Sequence, residues 1–406
     1  MALAYRVTKK PQRLLPNLLL ILITIYGAQV MFGAIEGGGF RSLRQKLLST
    51  GQRRFIEAAL SDLSLAESVL EYEEHYGTGQ RLATRPPGSL AFYVLIRDAI
   101  RLMNPDISRD ELSTRLTMTA AVSFPILAEG TLLVLLPLSR RLLDNNRQFL
   151  PLMLLMTAPS FLLIQLQLDQ FLYPAFFAAG ILLLHQAINR RSYVWGFAAG
   201  MFSYVAAYLS FSLLPILGLG VAWIMISFLA PIEGHGRRRI LMIGLSYLAG
   251  WIFADLIFRT FLNYDFLLRY SRAMAHHRQG KLYEPGLRQI MEAALVNSIE
   301  FLFWAGIPLA LLSLSRIMRS MKNAIARSAT DLDYLSMAFA LMVIALFIGG
   351  QTRGEVGRLW IFLLPVLSLL TADEMDKMLP KTKGVIAVVA IQWFTAYWIF
   401  KYAYFF

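Results

Sequence analysis

Cysteine is absent from the 406 residues, which excludes disulfides, thiolate catalysis and Cys-ligated metal sites. Charge is scarce as well. Asp, Glu, Lys and Arg make up 16 % of the chain, where a soluble globular protein carries roughly a quarter. The acidic sign is the scarcer, with 26 residues against 39 Lys plus Arg and a net charge of +13. In a soluble chain that balance would suggest nucleic acid. No basic run interleaved with aromatics is present to form such a platform, so no nucleic-acid partner is expected. The chain also lacks an internal repeat, which many transporters show.

Apolar residue is what the chain has in quantity, at 57 %. Stretches of about 17–25 apolar residues, the length that crosses a bilayer, recur along the whole sequence. They place spans near 16–34, 114–137, 148–167, 169–188, 193–210, 211–230, 240–262, 291–314, 333–350, 359–372 and 384–404. The N-terminus is basic and no small-residue cleavage site follows the first apolar run, so that run reads as a retained span. Segment 89–103 is apolar too, but Arg97, Asp98 and Arg101 lie within it. Charges at mid-bilayer are costly, so this segment reads as an amphipathic helix at the interface.

Loop charge supports that choice. With the N-terminus inside, the segments 1–15, 139–147, 189–192, 233–239, 315–332 and 373–383 are cytoplasmic, and each carries Lys or Arg clusters. This is the positive-inside pattern. Counting 89–103 as a span would move the later clusters outside. The C-terminus then falls outside, and the net positive charge reflects topology and anionic lipid. The chain reads as a single transmembrane unit, 1–406. Its long external segments are 35–113, with helices expected near 52–60 and 62–75, and 263–290; a short one covers 351–358.

Several constellations could carry chemistry. Arg85-Pro86-Pro87-Gly88 stiffens the entry to the interfacial helix. Asp62 precedes it in the same loop, either as a helix cap or as a carboxylate held at the membrane face. Glu36, before Gly37-Gly38-Gly39, is the competing carboxylate. Asp169, in Gln167-Leu168-Asp169-Gln170, stands at the external end of the fourth span. Arg353-Gly354-Glu355-Val356-Gly357-Arg358 is either a local ion-pair network or a phosphate site, for which Arg forks are suited. The 263–290 loop holds Asp265, Arg269, Arg272, His276, His277, Arg278 and Lys281, a set suggesting anion contact more than metal. Asp331-Leu332-Asp333 looks like a metal-binding pair, but parity puts it inside, and it reads as a solvated turn. Glu129 and Asp255 are charges within spans; for Asp255 the simplest partner is Arg259, one turn on.

In their order these features resemble the lipid-dependent glycosyltransferases of the GT-C fold, among them the protein O-mannosyltransferases and the bacterial aminoarabinose transferase of lipid A. The resemblance covers mainly residues 1–190. It rests on an acidic residue in a long first external loop (Asp62), a Pro-containing interfacial helix (Arg85 to Gly88), a basic cluster after the second span (Arg140 to Arg147) and an acidic residue at the start of the fourth (Asp169). The Arg353 to Phe362 segment and the 263–290 loop look similar to a bacterial subgroup. Two positions depart from the family pattern: Arg85 stands where His is frequent, and Asp62 is followed by Leu63 where a second acid is frequent.

The resemblance implies an all-α GT-C bundle of about eleven transmembrane helices, with amphipathic juxtamembrane helices in its external loop. It implies transfer of a sugar, with inversion, from a polyprenyl-phosphate carrier to a glycan, lipid or protein acceptor. The reaction would serve cell-envelope synthesis at the external face of a bacterial inner membrane. Asp62 would be the base and Asp169 would orient the acceptor or an Arg. Arg353 and Arg358 would bind the carrier phosphate, assisted by Arg269, Arg272 or Arg278. Arg85 would order the loop, and Glu355 would orient its two Arg neighbours. No cofactor is required by these residues, and a divalent ion is left open. The rival expectations are a transporter or flippase of a lipid-linked saccharide using Glu129 and Asp255, or an inactive assembly subunit.

Overall fold

The computed structural model describes residues 14–34, 45, 48, 52–77, 82–144, 147–164, 170–230, 236–280, 286–349, 354–378 and 381–402. Asp169, Arg353 and Glu36 lie outside the described residues. Among those described, every regular element is helical. The first apolar run forms Leu14–Ala34 (α1). The first loop then holds the short helices Arg53–Ala59 (α2), Leu65–Leu70 (α3) and Tyr72–Tyr76 (α4). The amphipathic segment is one helix, Gly88–Met103 (α5), which buries Leu90, Tyr93, Val94, Arg97 and Ile100 and leaves Leu95 and Leu102 exposed.

Arg109–Glu129 (α6) starts behind Ser108, whose side chain accepts from the Glu111 amide, with Asp110 and Glu111 complementing the helix dipole. It runs past Gly130 into Thr131–Leu142 (α7), and the two together are 34 residues long. The third apolar stretch is broken at Pro159 into Leu150–Thr157 (α8) and Pro159–Leu162 (α9). Tyr173–Asn189 (α10) follows, then Tyr193–Leu209 (α11), Pro215–Leu229 (α12) and Arg237–Leu262 (α13). Pro174 and Pro215 lie in the first turns of α10 and α12, where the missing N–H is not needed.

After α13 the chain turns at Asn263, in the left-handed region, into Phe266–Gly280 (α14). Leu287–Ala305 (α15) and Ile307–Ile325 (α16) meet at 111° across Gly306, whose φ is +95°. Asp331–Gly349 (α17), Val356–Leu359 (α18), Leu364–Met378 (α19) and Lys381–Tyr402 (α20) complete the described chain.

Six of these helices are long and apolar enough to cross a membrane, or seven if the bent α15–α16 pair is one span. Length and apolarity among the described residues therefore do not confirm the count of eleven. The expected span 291–314 is bent: a glycine in a backbone region closed to other residues, followed by Pro308, turns the chain inside an unbroken apolar run. The third stretch is likewise interrupted, and α10, α11 and α19 are 17, 17 and 15 residues long.

Apolar side chains cover the outside of the bundle as well as its inside. Leu241, Leu245, Leu248, Ile252 and Leu256 of α13 are all exposed, as suits a helix whose solvent is lipid. With lipid as apolar as the core, helices associate through close packing of small residues. Gly200 of α11 and Gly250 of α13 illustrate this. A methyl group at Gly200 would overlap the Tyr247 carbonyl, and one at Gly250 the Phe197 carbonyl.

Three of the loops that charge parity assigns to the cytoplasm, 139–147, 315–332 and 373–383, meet at one end. Buried Arg316 of α16 donates to Asp333 of α17 and to Asp373 of α19, both at 2.6 Å. Arg147 pairs with Asp373 at 3.2 Å and Asp376 at 2.7 Å, and Arg319 with Glu374 at 2.8 Å. Asp331-Leu332-Asp333 is thus no solvated turn. Asp333 is fully buried and also accepts from Asn323 and from both the amide and hydroxyl of Thr330. A buried carboxylate needs such partners, because desolvation penalises the unpaired charge.

Candidate active site

The other end is built around the segment between α1 and α6. The Arg85-Pro86-Pro87-Gly88 segment starts α5 against the end of α11. A Cβ at Gly88 would lie 2.7 Å from both the Leu209 Cα and the Tyr208 carbonyl, and the Ser89 hydroxyl donates to the Leu209 carbonyl at 3.1 Å. The Arg85 guanidinium donates at 3.3 Å to the Tyr173 hydroxyl in the first turn of α10, and Tyr173 in turn donates to Ser210 at 2.5 Å. Asp169 precedes Tyr173 by four positions in the sequence.

Arg269 of α14 is 1 % exposed and closes the loop from the far side. Its Nε donates to the Arg85 carbonyl at 3.2 Å, and its Nη1 to both Glu73 oxygens at 3.0 and 3.2 Å. Its Nη2 donates to the carbonyls of Leu82 and Ala83. All of its polar nitrogens therefore serve protein groups. The guanidinium also lies 5.4 Å from the centre of the Tyr72 ring. Burial pushes the Tyr72 hydroxyl above its ordinary pKa, against the pull of the Arg269 and Arg85 charges. It stays protonated and donates to the Leu82 carbonyl at 2.9 Å. Arg272 adds a second contact to Glu73 at 2.9 Å. Arg278 lies in the last turn of α14. An aromatic cluster carries α14 to this place: Phe266 on Trp251 (5.6 Å), Tyr270 on Phe211 (5.3 Å) and Tyr264 on Tyr208 (4.9 Å).

The Arg358 segment reaches the same helix. Phe362, four residues after Arg358, packs on Phe177 of α10 at 4.9 Å. Tyr173 and Phe177 are one turn apart and share a face. The first two turns of α10 therefore hold Arg85 through Tyr173 and the 354–363 segment through Phe177. Arg358 donates to Glu355 at 2.7 Å.

Asp62 is not brought to this cluster. Its side chain is 95 % exposed and pairs at 3.0 Å with Arg101, in the last turn of α5. Gly88 and Arg101 are separated by 13 residues of helix, about 20 Å at 1.5 Å per residue. Asp62 does not cap a helix either. That place belongs to Ser64, which forms a reciprocal capping box with Glu67. The two hydrogen bonds from Ser64, backbone first, hold the Glu67 carboxyl below its ordinary pKa.

Four residues escaped the sequence reading. Glu73 ties Arg269 and Arg272 together. Asn297 and Glu300 of α15 accept from the Gly354 and Gly357 amides. Gln170, next to Asp169, is fully buried with no partner for either amide atom among the described residues. Polar residues inside apolar segments were the signal for the last three. The two charges read within spans divide. Asp255 is bound by Arg259 at 2.7 Å and by Tyr204 at 3.0 Å, whereas Glu129 is buried with one oxygen unpartnered. A cavity of ≈ 340 Å³ lies at the opposite end, lined by Arg141, Arg316, Asn323, Thr330, Asp331 and Lys377, away from the Arg85 cluster. No group of three or more His, Asp or Glu able to hold a metal occurs among the described residues.

No protein-family model and no curated protein matches the sequence. Among solved structures, the chain is similar to the oligosaccharyltransferase of Archaeoglobus fulgidus, determined in complex with Zn and sulfate, with a TM-score of 0.54 and 13 % identity. The similarity covers 94 % of this chain and 53 % of that one, so this chain spans about half the length of its structural neighbour. At that identity the likeness is one of architecture: an all-helical, GT-C-like fold with several apolar helices of membrane-spanning length.

Proposed function

We propose that this protein is a membrane glycosyltransferase that moves a sugar from a polyprenyl-phosphate carrier to a glycan, lipid or protein acceptor at the Arg85 end of the bundle. The observation that carries the reading is the meeting of Arg85 and the 354–363 segment on the first two turns of α10. The GT-C-like fold supports it. In this reaction the acceptor hydroxyl attacks the anomeric carbon and loses its proton to a carboxylate. The sugar–phosphate bond breaks and the carrier phosphate leaves as an anion, stabilised by fixed cationic groups. Arg358, with Arg353, fills that role; Arg278 and Arg272 are the further cations of the same end.

The base in this reading is Asp169, not the Asp62 expected from the loop spacing. Asp169 stands four residues ahead of Tyr173, to which Arg85 donates, whereas Asp62 pairs with Arg101 at the distal end of α5. Arg269 orders the loop and has its donors occupied by Glu73 and by main-chain carbonyls, so it is not given the phosphate role. The bundle faces the bacterial periplasm at this end, with the carrier's lipid in the surrounding bilayer.

The test is turnover of a polyprenyl-phosphate sugar by purified variants shown to be folded. Asp169→Asn should lower the rate by roughly 10²–10⁴-fold, the usual cost of losing a general base. Asp62→Asn and Glu36→Gln should change it far less. A larger loss in Asp62→Asn would return the base to the first loop, and no sugar transfer by the wild-type chain with any such donor would refute the activity.

A further inference from the structure

The segment that carries Arg358 is clamped to α15. Gly354 and Glu355 both have left-handed backbones, with φ of +64° and +61°. For Glu355 this is a strained conformation that persists only where the surroundings enforce it. Two side chains of α15 supply the enforcement. The Asn297 Oδ1, on a residue 1 % exposed, accepts from the Gly354 amide at 3.1 Å. One turn along, the Glu300 Oε1 accepts from the Gly357 amide at 3.3 Å. Trp304, a further turn on, packs against Gly357 so closely that a Cβ there would enter its ring. Asn297, Glu300 and Trp304 recur at positions i, i+3 and i+7, one face of the helix.

The chemistry of these residues is out of place for lipid or core. A buried amide and a carboxylate in an apolar helix are costly unless they do something that apolar residues cannot. Here they satisfy main-chain amides of a turn that has left regular structure. The result is a turn whose backbone is set from outside, with Val356 fully buried beneath it and the Arg358 side chain, a quarter exposed, at its far end. A cation aimed at an anionic group is effective only when its support is preorganised.

We propose that Asn297 and Glu300 are positioning residues that hold the 354–358 turn on α15 and thereby set the place of Arg358 for a phosphate-bearing ligand. The proposal rests on the phosphate role given to Arg358 above. Neither residue is placed in contact with the ligand; both act through the turn.

The experiment measures binding of a short-chain polyprenyl monophosphate to the full chain in nanodiscs. Asn297→Ala and Glu300→Ala should each weaken binding by about tenfold, the effect of one lost hydrogen bond. Glu300→Gln keeps the accepting oxygen and should restore most of the affinity. The decisive readout is coupling. Combined with Arg358→Ala, either Ala variant should add little further loss, because its effect passes through Arg358. Additive losses would mean a merely structural role and would overturn the proposal, as would unchanged binding in both Ala variants while Arg358→Ala is weak. An unchanged affinity in Arg358→Ala would remove the phosphate role itself, and this inference with it. Should Asn297→Ala not be recovered folded, the Glu300→Ala and Glu300→Gln pair decides alone.

Discussion

Replacing Arg269 by Ala should release the segment between α1 and α5 while leaving the helical bundle intact. The buried guanidinium joins α14 to Glu73 and to the carbonyls of Leu82, Ala83 and Arg85. Removing one partner of a buried pair typically costs about 3–5 kcal/mol. The share from Glu73 must be discounted, because it is 36 % exposed and keeps Arg272. The Ala83 and Arg85 carbonyls lose the Arg269 donor in a buried place, at about 1–3 kcal/mol each before water or relaxation compensates, whereas the Leu82 carbonyl keeps the Tyr72 hydroxyl. A figure of about 3 kcal/mol remains, which shifts the docked-to-open ratio by roughly 10²-fold. Hydrogen exchange should therefore speed by about that factor in 72–85 and 264–280. The Arg316–Asp333 end should keep its protection, since it shares no contact with this staple. Arg269→Lys keeps a charge for Glu73 but cannot serve three carbonyls from one ammonium, so it should fall between the two. Unchanged exchange in 72–85 for the Ala variant would refute the argument, and so would a uniform loss of protection throughout the chain.

Gly200→Val should destabilise the α11–α13 pair by about 1–3 kcal/mol or more, because the added carbons meet the Tyr247 backbone and not a movable side chain. Gly218→Ala in α12, with nothing near its Cβ, is the control, and detergent melting temperatures should separate the two. Asp333→Asn removes one of the two carboxylates on Arg316, which keeps Asp373, and should cost about 1–3 kcal/mol, whereas the apolar double variant Arg316→Met with Asp333→Leu should recover part of it. A double variant no more stable than Asp333→Asn would contradict this. Gln170→Leu removes a buried amide that has no partner among the described residues, so stability should hold or rise while turnover of the sugar donor falls. Stability lost by about 2 kcal/mol with turnover intact would make Gln170 a structural residue.

Hydropathy and loop charge determine a good deal by themselves. Both are local quantities, set by how residues partition between lipid and water. They put the apolar helices and the amphipathic helix of 88–103 within reach of the sequence. The Asp255–Arg259 pair was legible for the same reason, being one helical turn apart. Hydropathy does not register a backbone angle, so the 111° bend at Gly306 stayed hidden inside a continuous apolar run, although Gly306-Ile307-Pro308 was there to be read. Asp333 was misjudged because its partner Arg316 lies on another helix, and a carboxylate next to a loop looks solvated until that helix is in place. The candidate site shows the same division. The sequence could mark Arg85, Arg269 and Arg358 as unusual, but not that Arg269 spends its donors on a loop 196 residues away at Glu73. Nor could it show that Asp62 pairs with Arg101, at the far end of α5 from Gly88. Those outcomes depend on which side chains the folded bundle brings within about 3 Å of one another, the range at which hydrogen bonds and ion pairs form. Only the tertiary structure decides that.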